Sequence, residues 1–233
     1  MKHLFLSVLS IAFAITVSAQ TFALKNTPST AEDYMLLLEA NGYKSYAFDI
    51  TSLKDATYYI EPVIQHYKDG KLVPNAFDFG LQFSTRDMLP KDDPEFVKQM
   101  RQAGKIHDEQ KGILNLCEKI RVGFAPMKEQ ALRLMKFYVT EGGAISIPLV
   151  FDPQIDPETG KESEYYSYGF REFLVNEIKF DTFIPLAMCG AYWYDAETQH
   201  HRFCGDIVLT ADMTSSLMKD VKEYYIIGMK VHK

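Results

Sequence analysis

Short runs of alternating apolar and polar residues, cut repeatedly by turn-forming residues, constrain this chain more than any other feature. Residues 76–83, AFDFGLQF, set Phe77, Phe79, Leu81 and Phe83 against Asp78, Gly80 and Gln82. That is the period-two pattern of a strand with one buried face. Tyr58–Tyr67 and Lys71–Val73 flank Lys68-Asp69-Gly70-Lys71, and Asp-Gly between such runs is the strongest short-range hairpin signal. Tyr43–Ile50, Ile145–Phe151, Tyr165–Phe173, Glu177–Phe183 and Tyr224–Val231 read as further strands, and Leu186–Tyr194 with Arg202–Leu209 as a second hairpin. With 14 Tyr and 16 Phe, the aromatic content of 13% favours strands over helices.

Helical signals are few. Ser29-Thr30-Ala31-Glu32 forms a capping box, Tyr34, Leu37, Leu38 and Asn41 share one side, and Gly42 supplies a C-terminal cap, so a helix is expected over 30–41. A second spans Pro94 to Ala103, capped by Asp92 or Asp93 and ended by Gly104, with Phe96, Met100 and Ala103 as its inner stripe. Leu217, Met218 and Val221 mark a third. Residues 105–117 stay undecided, and so do 127–136, where MKEQALRLMK reads helical but leads into the strand-like FYV. The expected fold class is mainly β: an antiparallel two-sheet sandwich, or a distorted barrel, with two to four short helices, in one domain over residues 20–233.

The first residues read as an address. Lys2 and His3 precede an uncharged, mostly apolar run from Leu4 to Val17, and Val17-Ser18-Ala19 is a small-residue cleavage pattern. The run is shorter than the roughly 20 residues of a membrane-spanning helix, and no later stretch is apolar enough to span. Residues 1–19 are therefore expected to be a signal peptide, the protein exported to the periplasm or beyond, with no integral membrane segment after cleavage. The first cysteine is Cys117, so a lipoprotein anchor is not expected. The formal charge of −6 argues against nucleic acid, which needs a basic footprint, and against anionic lipid.

Oxidising compartments permit disulfides, and the cysteines are Cys117, Cys189 and Cys204. If Ala196-Glu197 is a two-residue tip, Tyr192 faces His201, Trp193 faces His200 and Cys189 faces Cys204, close enough to bond. A one-residue slip destroys that match; the alternative is two buried free thiols. Cys117 reads as core.

Motifs with a mechanism are missing. G-x-S-x-G, H-E-x-x-H, the phosphate-cradling P-loop and Gly-rich dinucleotide fingerprints do not occur, and no cofactor is expected. His200-His201 point to opposite faces of a strand, and His66, His107 and His232 are scattered, so no metal site is assigned. Asp152, Asp156, Glu158, Glu162 and Glu164 read as a solvated acidic turn rather than a calcium loop. Asp78, Glu172, Asp195 and Asp206 are undistinguished candidates for a carboxylate pair. Two aromatic segments remain: Tyr165, Tyr166, Tyr168, Phe170 and Phe173, and Tyr192-Trp193-Tyr194. Exposed aromatic faces stack on sugar rings or anchor protein partners, so Tyr192, Trp193 and Tyr194 are the candidate binding residues.

From residue 165 onward the strings YYSYGFREF, FIPLAMCGAYWYD, HRFCGDI and YYIIGMKV resemble an uncharacterised family of secreted proteins of Gram-negative, Bacteroides-type gut anaerobes, a domain of unknown function. The resemblance implies an envelope location and a mostly β fold, and carries no catalytic or binding residue. Two functions stay open: a non-enzymatic exported binding or assembly protein of the cell envelope, whose partner is a glycan or an envelope protein, and a two-carboxylate glycan hydrolase.

Overall fold

The computed structural model describes residues 31–74, 77, 80–195 and 197–233. The expected signal segment, the first half of the capping box and residues 76, 78 and 79 of the expected 76–83 strand lie outside the described residues. Helix α1 (Ala31–Ala40) leads into β1 (Lys44–Asp49). Next come β2 (Tyr59–Lys68), β3 (Lys71–Leu72), β4 (Phe83–Ser84), β5 (Arg86–Met88) and helix α2 (Pro94–Gln102). The middle of the chain forms β6 (Ile113–Leu116), β7 (Lys119–Pro126), β8 (Leu132–Val139) and β9 (Gly143–Val150). After these run β10 (Tyr168–Leu174), β11 (Ile184–Ala191), β12 (Trp193–Asp195), β13 (His200–Arg202) and β14 (Val208–Thr210). Helix α3 (Leu217–Asp220) and β15 (Glu223–His232) end it.

Two open sheets carry the architecture. One has four strands in the order β1-β7-β8-β9; the other has the order β14-β10-β11-β15-β2-β3, with β4 also on β2. Neither closes into a barrel, and every pairing is antiparallel except β10 with β14. The mainly β, sandwich-like expectation with a few helices is met. Among the described residues no helix is long and apolar enough to cross a membrane.

Alternation explains the four-stranded sheet. Ile120, Val122 and Phe124 of β7 and Met135, Phe137 and Val139 of β8 are buried, while their neighbours face outward. They meet Ile60, Ile64, Cys189, Tyr225, Ile227, Met229 and Val231 of the larger sheet in one core. The larger sheet is covered on both faces, so its central strands β11 and β15 read as nearly unbroken apolar runs. Its second face carries a smaller core of Phe173, Met188, Phe203, Leu209, Leu217, Met218, Val221, Tyr224 and Ile226.

Turns and caps follow their sequence signals. Asp69 and Gly70 both take positive φ, 48° and 71°, in the two-residue turn between β2 and β3. Helix α1 ends in a Schellman motif: Tyr43 N–H donates to Leu38 O at 3.0 Å and Gly42 N–H to Glu39 O at 2.9 Å, with Gly42 at φ 80°. Asp93 caps α2 by accepting from Phe96 N–H at 2.9 Å.

Four expectations are corrected. The stripe on α2 is not an inner one, since no residue of that helix is buried; two turns lying on an exposed edge leave Phe96 and Met100 half-covered. Of the expected 76–83 strand, the described residues 77 and 80–82 are not strand, since only Phe83 and Ser84 pair with β2. The undecided stretch 127–136 resolves into strand from Leu132 onward, because pairing on both sides with β7 and β9 outweighs its helical spacing. Residues 177–183 form no strand beyond a single bridge from Phe180 to Val231. The second hairpin is not continuous: β11 ends at Ala191, β12 pairs with β13, and β14 leaves to join β10.

Candidate functional site

Three separate pieces of chain converge at one end of the large sheet. The first is the hairpin end of β2 and β3, which brings Lys68 and Asp69. Lys68 stands opposite Glu223 in the β2–β15 register, and Asp69 N–H donates to Lys222 O at 2.6 Å. The second is the segment leaving β9. Asp152 N–H donates to Glu223 Oε2 at 2.7 Å, and Gln154 exchanges two hydrogen bonds with the Ser167 backbone, both at 3.0 Å. The third is the aromatic β12–β13 hairpin. Together they enclose a cleft of about 540 Å³ lined by Lys68, Asp152, Glu223, Trp193, Tyr194 and His201, among others.

The hairpin is held in place by an aromatic anchor. Gly169 of β10 and Gly190 of β11 are register partners, and together they bare a patch of the sheet. The Phe203 ring lies on it, so closely that a Cβ on either glycine would collide with it. Tyr192 stacks on Phe203 with centroids 5.4 Å apart, and Trp193 lies 6.3 Å from it. Arg171 covers the same ring at 4.9 Å and donates to Phe203 O and Asp206 O at 2.9 and 2.8 Å. Tyr192, Trp193 and Tyr194 are therefore half-buried: each packs on a neighbour and each also lines the cleft.

The polar floor is a bonded network. Glu223 is 7% exposed and His66 8%. Glu223 Oε1 meets His66 Nε2 at 2.8 Å and Lys68 Nζ at 3.3 Å, while Lys68 Nζ also meets Asp152 Oδ1 at 2.6 Å. The Asp152 carboxylate, and then Glu223, hold the Lys68 ammonium above the ordinary lysine value. The His66 ring stacks on Tyr225, 4.1 Å away and within 9° of parallel. One ammonium thus bridges two carboxylates, and both Glu223 oxygens are already bonded. Such a group offers fixed charge and hydrogen-bonding surface.

The three candidate acids that are described make separate contacts. Asp195 pairs with Arg202, Asp206 accepts from Ser215 Oγ at 2.6 Å, Glu172 is exposed on β10, and Asp78 lies outside the described residues. The two acids in the cleft were not singled out as a pair, for Glu223 and Asp152 have no local signature. Asp156 belongs to the turn itself: it accepts from Thr159 and Glu158 N–H, which hold its carboxyl below the usual range. Among the described residues no group of three or more His, Cys, Asp or Glu is placed to hold a metal ion.

The Cys189–Cys204 bridge is not formed. The hairpin turns through four residues, not two, so Trp193 faces Arg202 and Tyr194 faces His201. Asp195 Oδ1 accepts from Glu197 N–H at 3.0 Å and shapes this wider turn, of which Ala196 is not described. Cys189 lies in the sandwich core between Phe170 and Tyr225, while Cys204 is exposed beyond the end of β13. All three thiols are free. Burial pushes the Cys117 thiol up to about 11 and raises Cys189 further. Alkylation of the folded protein is accordingly expected to add one label, at Cys204, and denaturation without reductant to expose the other two; labels that appear only after reduction would restore a disulfide.

A family model described as a domain of unknown function (DUF5041) matches residues 13–233. No curated protein matches the chain, and no solved structure does.

Proposed function

The chain belongs to that family of unknown function, and from this premise we propose that it is an exported, non-enzymatic binding protein of the cell envelope whose cleft takes a glycan. The export reading rests on the basic, apolar and small-residue succession of residues 1–19. The binding reading rests on one observation: three aromatic side chains and a pre-bonded polar network line the same cleft of about 540 Å³. That volume lies within the range of small-molecule sites, roughly 300–1,000 Å³. Rings of Tyr192, Trp193 and Tyr194 supply apolar faces for the C–H side of a sugar, and Lys68, Asp152 and His201 supply charged and polar partners for hydroxyl groups. Groups already held by one another need little ordering on binding, which favours affinity.

Trp193 is the single tryptophan and reports on the cleft alone. Titration with a panel of soluble glycans and peptidoglycan fragments is expected to give a saturable change in its emission, with no product formed. Lys68→Ala should weaken the response about tenfold, the range for losing a charged hydrogen bond to the ligand. Product formation in the same mixtures would replace this reading with the hydrolase, Asp152 and Glu223 then being the acids to test. Silence towards every glycan would move the search to protein partners.

A further inference from the structure

A second hollow shares no lining residue with the cleft. It is a trough of about 360 Å³ on the outer face of the four-stranded sheet, between α1 and strands β7 and β8. Its walls are apolar: Met35 and Leu38 from α1, Tyr43 from the turn that follows, and Leu134 from β8. Met35, Leu38 and Tyr43 are 46%, 44% and 43% exposed. Large apolar side chains gathered around one hollow, rather than scattered, mark a binding surface.

The floor of the trough is Gly123, in the middle of β7. Pairing of β7 with β1 and with β8 runs past it without a bulge. A Cβ there would meet only Lys44 O, at an ordinary 3.8 Å. Gly169, Gly190 and Gly228 differ, since a Cβ at each would collide with a neighbour. No turn, bulge or packing contact therefore requires glycine at 123; a side chain there would simply fill the trough. A mid-strand glycine of that kind fits the close approach of a ligand.

One end of the trough carries charge. It runs into a hollow of about 260 Å³ lined by Arg121, Lys136 and Tyr138, the two sharing Ser45, Gly123 and Lys136. Arg121 Nη1 donates to Thr140 Oγ1 at 3.2 Å, and both cations lie 5.9 Å from the Tyr138 ring centroid. Among the described residues neither has an acidic partner, whereas Lys44 nearby is neutralised by Glu39 at 2.7 Å. On a chain of formal charge −6, two unpaired cations at the mouth of an apolar trough complement an anion that ends an apolar tail.

We infer that this trough binds a free long-chain alkyl carboxylate. The chain lies over Gly123 between Leu38 and Leu134, and the carboxylate rests on Lys136 and Arg121. The volume, at the small end of ligand cavities, suits a single aliphatic chain.

Calorimetric titration of the purified protein with sodium dodecanoate, below micelle formation, tests this. One equivalent is expected to bind, with dodecyltrimethylammonium at least about tenfold weaker and butyrate not measurable. Gly123→Leu, which fills the trough without a backbone clash, should weaken dodecanoate at least about tenfold. Leu38→Asn, on an exposed helix face, should weaken it about threefold and serves if Gly123→Leu does not fold. Lys136→Glu combined with Arg121→Gln should narrow the preference between the two head groups. Equal affinity for both head groups in the unaltered protein would overturn the inference, as would binding indifferent to the Gly123 and Leu38 replacements. Sedimentation showing a dimer that Gly123→Leu dissolves would overturn it too, in favour of a second copy on this face.

Discussion

Gly228→Ala is expected to lower stability by about 3 kcal/mol, at the upper end for an overpacked core. For a chain of this length that corresponds to a fall in Tm on the order of 10 °C. Gly228 lies in β15 opposite Pro185 of β11, where the register between Pro185 and Ala187 is irregular. A Cβ there would press into the Ile184 carbonyl oxygen and come within 2.5 Å of Phe183 Cε2. The ring can rotate away, but the oxygen belongs to the backbone of a central strand and has nowhere to go. Gly123→Ala is the matched control: the same change in a strand of the other sheet, where the new methyl meets only a contact at 3.8 Å. It should shift stability by no more than about 0.5 kcal/mol. Urea unfolding of the two variants side by side decides the matter, and equal stabilities would remove the steric account of Gly228.

Glu223→Ala is the second large effect, with an expected cost of about 3 kcal/mol. It strips the Asp152 N–H and His66 Nε2 of their acceptor, and Lys68 of one of its two carboxylates. The cost stays at the lower end for a broken buried pair because the Lys68 side chain is 38% exposed and remains bonded to Asp152. Glu223→Gln keeps one carbonyl acceptor and should cost about half as much. Both replacements should also loosen the segment from Asp152 to Ile155 and weaken the Trp193 response to ligand. A Glu223→Ala protein that unfolds at the same urea concentration as its parent would show that the network contributes nothing net.

How far the sequence could be read depended on the range of the interaction. The caps at Gly42 and Asp93 and the Asp69-Gly70 turn are set by neighbours a few residues apart, and each was legible. The strands of the sandwich were legible where alternation was clear, as in β2, and obscured at the start of β8, where residues 127–136 also read as helical. The aromatic hairpin was legible as a hairpin. Its register was off by two because Asp195 opens a wider turn than a bare two-residue tip. An even slip keeps each side chain on its own face while moving every cross-strand partner by about 7 Å, so the aromatic residues kept their faces while the cysteine pairing failed. The polar floor of the cleft was beyond reach. Lys68, Asp152 and Glu223 come from distant parts of the chain and meet only through the β2–β15 pairing and the exit of β9.

The place of β15 in the large sheet sets an order of events in folding. This last strand lies between β11 and β2, joined to both along its length, so residues 223–232 are the seam between an early and a late part of the chain. Until they arrive, β2 has only the short β3 and β4 for partners and the sandwich core lacks Tyr225, Ile227, Met229 and Val231. Until residues 223–232 pair, the sheet cannot be completed piece by piece and its apolar edges stay open; their pairing then closes contacts between residues 59 and 232 in one slow cooperative step.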